Sequence, residues 1–203
     1  MSHAGGPYFD RDHHETLLAV CPRYPKYVTM KDIKVRLMVA FERRDTRVRP
    51  VPLAWRVLNR FSTWWDGTRH DHVEVYFPKN AQAFTSTARE GVKSYCRSSY
   101  NLARWDVFHM FVSLDQYELA RKYANSRVAE KYEFCIPASC WGGDVTPTAS
   151  CHGFAFGILS RLELPEFQSV GCPMTPGGLS NLVMEVDGVE MLQEPPGAVA
   201  ASQ

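Results

Sequence analysis

A thiol, an imidazole and a carboxylate stand out in this chain because their surroundings suit covalent catalysis. Cys151 lies in Pro147-Thr-Ala-Ser-Cys-His-Gly-Phe-Ala-Phe-Gly-Ile-Leu, where small, turn-forming residues give way to an apolar run that reads as a buried helix. A cysteine in the first turn of a helix faces unpaired backbone N–H groups and the positive end of the helix dipole, which favour its thiolate. Upstream, Arg69-His-Asp-His-Val-Glu-Val-Tyr-Phe reads as a strand that could bring an imidazole to that thiol. A thiol hydrolase needs a nucleophile, a base within hydrogen-bond reach and a polar group that orients the base. Cys151 and His72 are the expected nucleophile and base, and Glu74 is the expected orienting group. Glu74 shares a strand face with His72 but lies about 6.6 Å further along the strand, so Gln82, Thr85 or Thr87 on an adjacent strand are alternatives. His152 is a poor base, because neighbouring helical residues point about 100° apart.

The elements that must hold these groups follow from periodicity. Ile33 to Phe41 reads as a strand entering a core, and His72 to Phe77 as a strand with Val73, Val75 and Phe77 on one face and His72, Glu74 and Tyr76 on the other. Ala83 to Thr87 and Val92 to Cys96 follow, with a turn at Arg89-Glu-Gly91, so an antiparallel meander is expected. Trp105 to Ser113 is a further strand. Ser113-Leu-Asp-Gln116 matches a capping box that opens a helix running to about Glu130, with Tyr117, Ala120, Ala124 and Val128 on its buried stripe and Glu118 paired with Lys122. Pro52 to Trp65 reads as a short helix and Tyr132 to Pro147 as a loop. The Cys151 helix looks apolar nearly all round and is expected to end at Pro165. Pro176 to Met184 fits a short helix or a strand.

The chain has 203 residues, 45% of them hydrophobic, enough for one domain with a substantial core. An irregular arm at 1–26, a single domain at 27–192 and a tail at 193–203 are expected. No apolar run approaches the ~20 residues of a membrane span and no signal pattern opens the chain, so a soluble, cytoplasmic protein is expected. The six cysteines are irregularly spaced and do not read as a secreted disulfide framework.

Competing readings of the same residues are weaker. His70-x-His72 could chelate a metal, with Cys135, Cys140, Cys151, His152 and Cys172 as further ligands, but the spacings match no strong zinc pattern. No metal or other cofactor is therefore expected. His109, alternating with apolar residues, reads as a packed strand residue. The first 69 residues carry 13 Lys and Arg against 7 Asp and Glu. That basic cluster lacks the aromatic interleaving of a nucleic-acid surface, so nucleic acid is not the favoured partner.

The order of parts resembles the circularly permuted papain-like proteins of the NlpC/P60 superfamily: a His72-Val-Glu strand, a meander, a helix after Val112-Ser-Leu-Asp-Gln116, a Tyr132-Glu-Phe segment, then Ser150-Cys-His-Gly-Phe opening a helix. In that group the histidine strand precedes the cysteine helix. The resemblance implies an α+β fold in which an antiparallel sheet packs against the nucleophile-bearing helix, with His72 and Cys151 at the family's catalytic positions. Pro176-Gly-Gly-Leu is similar to a Ser-Pro-x-x-Leu segment of some members, with Thr175 in place of Ser. The implied activity is cysteine hydrolysis of a peptide or isopeptide amide through an acyl-thioester on Cys151. Acyl hydrolysis or transfer on a lipid, as in lecithin:retinol acyltransferase-like members, is an alternative substrate class. The group includes proteins of large DNA viruses, so a catalytically idle binding or virion-associated member is the alternative from a different class. His152, where Glu or Ser would be expected, supports that alternative.

Overall fold

The computed structural model describes residues 33–43, 69–133, 148–173 and 175–192. Among them six strands form one sheet: β1 Lys34–Arg43, β2 His70–Phe77, β3 Gln82–Thr87, β4 Gly91–Cys96, β5 Trp105–Ser113 and β6 Glu190–Leu192. Their order is β4-β3-β2-β1-β5-β6 and every pairing is antiparallel. Four helices accompany them: α1 Leu114–Ser126, α2 Cys151–Leu159, α3 Pro165–Gln168 and α4 Pro176–Met184. The fold is α+β.

Alternation of side chains gives the sheet two faces with different jobs. Leu37, Val39 and Phe41 of β1, Val73, Val75 and Phe77 of β2, and Phe108, Met110 and Val112 of β5 join the helices in the main core. Met38, Ala40, Tyr76, Ala83, Trp105 and Val107 form a smaller cluster on the opposite face. Every residue of α2 is buried, as expected of a helix apolar all round. Burying a large apolar side chain contributes about 1.5–3 kcal/mol, so α2 is held by packing rather than by its nine residues of helix propensity.

The meander β2-β3-β4 forms as the alternation predicts. Its last turn ends at Gly91, whose φ of 69° suits glycine and whose absent side chain lets the Glu130 carbonyl approach. There the Val92 N–H donates to Glu130 O at 2.8 Å and Ala129 N–H to Val92 O at 2.9 Å, fastening the end of α1's connection to the sheet.

Local signals at the helix ends were partly sufficient. The capping box of α1 is present, with the Gln116 N–H donating to Ser113 Oγ at 3.2 Å and the Ser113 N–H to Gln116 Oε1 at 3.0 Å. Tyr117, Ala120 and Ala124 are buried, but the helix stops at Ser126, leaving Val128 exposed in the following turn. Glu118 pairs with Arg121 at 2.9 Å, one residue short of the expected Lys122. Pro165 does not end the Cys151 helix. α2 closes at Leu159, a 3-10 turn covers Ser160–Leu162, and Pro165 occupies the first turn of α3, where its missing N–H costs nothing. Pro176 opens α4 in the same way behind a Thr175 cap that accepts from the Gly178 N–H at 2.9 Å, which settles that segment as helix. The three-residue β6 was not anticipated, being too short for a periodicity. The arm at 1–26, the helix expected over 52–65, most of the 132–147 loop and the tail at 193–203 lie outside the described residues.

Candidate active site

The start of α2 is built by small polar residues. Ser150 caps the helix by accepting the Gly153 N–H at 3.1 Å, and Thr148 Oγ1 lies 2.9 Å from Ser150 Oγ. A Cβ at position 153 would overlap Thr148 Oγ1 and come within 2.9 Å of Ser150 Oγ, so glycine is what allows the preceding loop to fold over the first turn. The loop is also tied to the sheet: Ser86 Oγ on β3 donates to the Ala149 carbonyl, and the Ala149 N–H donates to Glu133 Oε2 at 3.3 Å. Ser86 follows Thr85, which pairs with Glu74 of β2, so α2 begins over the His70 end of the sheet. Cys151, 6% exposed, belongs to the main core there.

Strand parity decides which histidine shares that face. His72 pairs with Glu42, and the next pair is Arg43 with His70, so two residues of β2 are spent against one of β1. This is a β-bulge with Asp71 as the extra residue, and bulges re-aim side chains next to functional sites. In an uninterrupted strand His70 and His72 would face the same way. The bulge turns His70 onto the face of Phe41, its ring centroid 5.2 Å away, while His72 stays on the face of Trp105, 6.2 Å away.

The expected pairing of Cys151 with His72 and Glu74 is therefore corrected. The helix covers one face of the sheet and these two side chains project from the other. His72 Nε2 lies 2.8 Å from Thr85 Oγ1, so a residue on the adjacent strand does orient it, but away from the thiol. Glu74, 3.9 Å from His72, is 5% exposed and is occupied by Tyr100 OH at 3.2 Å and Arg97 Nη2 at 3.2 Å. The Arg97 guanidinium stacks 4.2 Å from the Tyr100 ring centroid. Burial, followed by the charge of Glu74, pushes the Tyr95 and Tyr100 hydroxyls well above the usual phenol range, which keeps both neutral. Opposite faces also prevent His70 and His72 from chelating one ion. His109 is a packed strand residue, bonded to Glu190 at 3.0 Å.

On the α2 face the bulge brings His70 to a carboxylate that the sequence reading passed over. His70 Nε2 is 2.8 Å from Asp106 Oδ2 on β5. The other oxygen, Oδ1, accepts from Arg43 Nε at 2.9 Å and from Arg43 Nη2. Burial raises the Asp106 carboxyl, but the hydrogen bonds from Arg43 and His70 outweigh it and hold the group below its ordinary value. With a carboxylate at Nε2, that nitrogen carries the proton, and in the neutral ring the lone pair falls on Nδ1. Among the described residues, the buried His70 Nδ1 has no hydrogen-bond partner. Asp106 was legible in principle, since it shares the parity of Phe108, Met110 and Val112, and an acid on a core face requires an explanation.

His152, next to the thiol, is 7% exposed, and desolvation lowers its pKa to about 4. It is a neutral ring within the packed helix. Most of the 140–150 stretch that leads into Cys151 lies outside the described residues. Among the described residues no group of three or more His, Cys, Asp or Glu is arranged to hold a metal ion, and no helix is long and apolar enough to cross a membrane. No family model matches the chain, and neither the curated proteins nor the solved structures provide a match.

Proposed function

We propose that the chain is a cysteine hydrolase of permuted papain-like architecture, with Cys151 as nucleophile, His70 as general base and Asp106 as its orienting carboxylate. The observation that carries this reading is the 2.8 Å bond between His70 Nε2 and Asp106 Oδ2, which leaves a buried Nδ1, without a partner among the described residues, on the face that α2 covers. Nδ1 would take the thiol proton, and the thiolate would attack an amide carbonyl to give a tetrahedral oxyanion. The Gly153 N–H is held by Ser150 Oγ, so the oxyanion would be met by the positive end of the α2 dipole at the first turn. Collapse would expel the amine, protonated by His70, and leave an acyl-thioester on Cys151. A water, deprotonated by the same imidazole, would release the acid and regenerate the thiol. The substrate class we favour is a peptide or isopeptide amide, with a lipid ester as the alternative acyl donor.

The test is the pH dependence of Cys151 alkylation by iodoacetamide, read by peptide mapping. Selective labelling well below the ordinary thiol pKa of about 8.5, lost in His70→Ala and kept in His72→Ala, supports the assignment. An ordinary profile indifferent to His70 removes it and leaves the fold as a binding module.

A further inference from the structure

Asp106 is shared. One oxygen meets the His70 ring and the other is gripped by a forked pair of N–H groups from Arg43. Arg43 is itself set by the sheet: it is the last residue of β1, sits opposite His70 across the bulge, and its backbone N–H donates to Arg104 O at 2.9 Å. Its Nη1 also reaches the Ala103 carbonyl at 3.4 Å. A carboxylate on a flexible Cβ–Cγ bond can rotate, and it orients an imidazole only if that rotation is stopped. Nε and Nη2 on one oxygen stop it, in a geometry that the rigid guanidinium provides and a single ammonium does not.

We propose that Arg43 is a positioning residue of the thiol site, acting through Asp106 to fix the His70 ring in the Nε2–H form with Nδ1 directed toward the start of α2. This rests on the assignment of Cys151, His70 and Asp106 made above. Burial raises the Asp106 carboxyl, and the hydrogen bonds from Arg43 and His70 outweigh it and hold the group below its ordinary value. Among the described residues, the charged and titratable groups on or beside this face are Arg43 from β1, His70 and the bulge residue Asp71 from β2, Asp106 from β5, Cys151 and His152 from α2, and Glu133, which accepts from the Ala149 N–H. Glu42 with Arg104, and His72 with Glu74 and Arg97, belong to the opposite face. The ion pair is partly solvated on the Arg43 side, 35% exposed, but its acceptor is less so, the Asp106 side chain being 19% exposed with its other oxygen committed to His70.

The experiment uses the full chain and two variants, Arg43→Gln and Arg43→Lys. It reads the rate of Cys151 alkylation by iodoacetamide from pH 5 to 9, with the 15N shifts of the His70 ring as a readout independent of reactivity. In Arg43→Gln the labelling rate at pH 6 is expected to fall at least ~10-fold, with the acidic limb moving to higher pH and the ring nitrogens losing their single-tautomer pattern. Arg43→Lys, which keeps the charge but not the fork, is expected to recover only part of the rate. If Arg43→Gln does not fold, Arg43→Lys decides, and a profile and ring spectrum equal to the native ones would overturn the proposal. Arg43→Gln with lowered thermal stability but an unchanged profile overturns it too, leaving Arg43 a structural ion pair while the hydrolase reading stands. If native Cys151 labelling is already indifferent to His70→Ala, the hydrolase reading fails and the role of Arg43 fails with it.

Discussion

His70, His72 and His152 are three imidazoles in β2 and α2, and their surroundings give them three different fates. His70 is bonded through Nε2 to a carboxylate held ionised, His72 is bonded to a threonine hydroxyl, and His152 has been stripped of solvent. The fate of His152 carries a prediction about stability. Its pKa is lowered from 6.5 to about 4 on folding, so the unfolded chain binds a proton that the folded chain refuses. The stability it permits is fully present above pH 6.5 and is lost as pH falls toward 4, at up to about 1.4 kcal/mol per pH unit and about 3 kcal/mol in all. Urea unfolding of the native chain between pH 7 and 4 is therefore expected to be steeper in pH than that of His152→Gln. Equal slopes would mean that His152 is solvated in the folded state. A residue-level reading of the sequence identified Cys151 and its helix correctly as a unit, because a small polar cap followed by an apolar run is a local signal. It paired Cys151 with His72, which the structure sets on the opposite face of the sheet, because the side on which a strand residue emerges depends on every pairing before it.

At the level of elements, what was legible is what repeats. β2, β3, β4 and β5 follow from period-two alternation, and α1 from its capping box and buried stripe. The end of α1 was not legible, because Val128 continues the spacing while tertiary packing does not continue beneath it. The bulge in β2 was not legible either, since nothing in His70-Asp71-His72 differs from an ordinary strand until the register with β1 is known. The junction into α2 is an element feature whose importance can be measured. Gly153→Ala forces a methyl onto Thr148 Oγ1 and Ser150 Oγ, both of which anchor the loop. An overpacked site of this kind costs about 1–3 kcal/mol. A urea midpoint lowered by that amount, with slower Cys151 labelling at pH 6, is the expected result. An unchanged midpoint would show that the loop is not pressed against the helix.

Across the whole molecule, the sheet separates two sets of charged groups. Cys151, His70, Asp106 and Arg43 lie on the helix-covered face, and Glu74, Arg97, His72 and the tyrosines lie on the other. The separation predicts that damage to the second set lowers stability without altering thiol chemistry. Arg97→Ala leaves a buried Glu74 carboxylate short of its cation, and breaking a buried pair in this way costs of the order of 3 kcal/mol. Adding Glu74→Gln is expected to return much of that loss. In both variants the folded protein should keep the native pH profile of Cys151 alkylation. A shift in the profile of the Arg97→Ala protein would mean that the two faces are coupled.

The strand order also sets a schedule. His70 and Asp106 are 36 residues apart, Arg43 and Asp106 are 63 apart, and Ser86 reaches 63 residues forward to Ala149 to dock the thiol-bearing helix. During synthesis the imidazole, carboxylate and guanidinium all leave the ribosome before the sulfur does, and β1 to β5 can pair while Cys151 is still untranslated. On the proposed assignment the nascent chain thus carries an assembled base with nothing to deprotonate. The thiol would meet that base only when α2 closes over the sheet, so a stalled or partly folded chain would be chemically quiet.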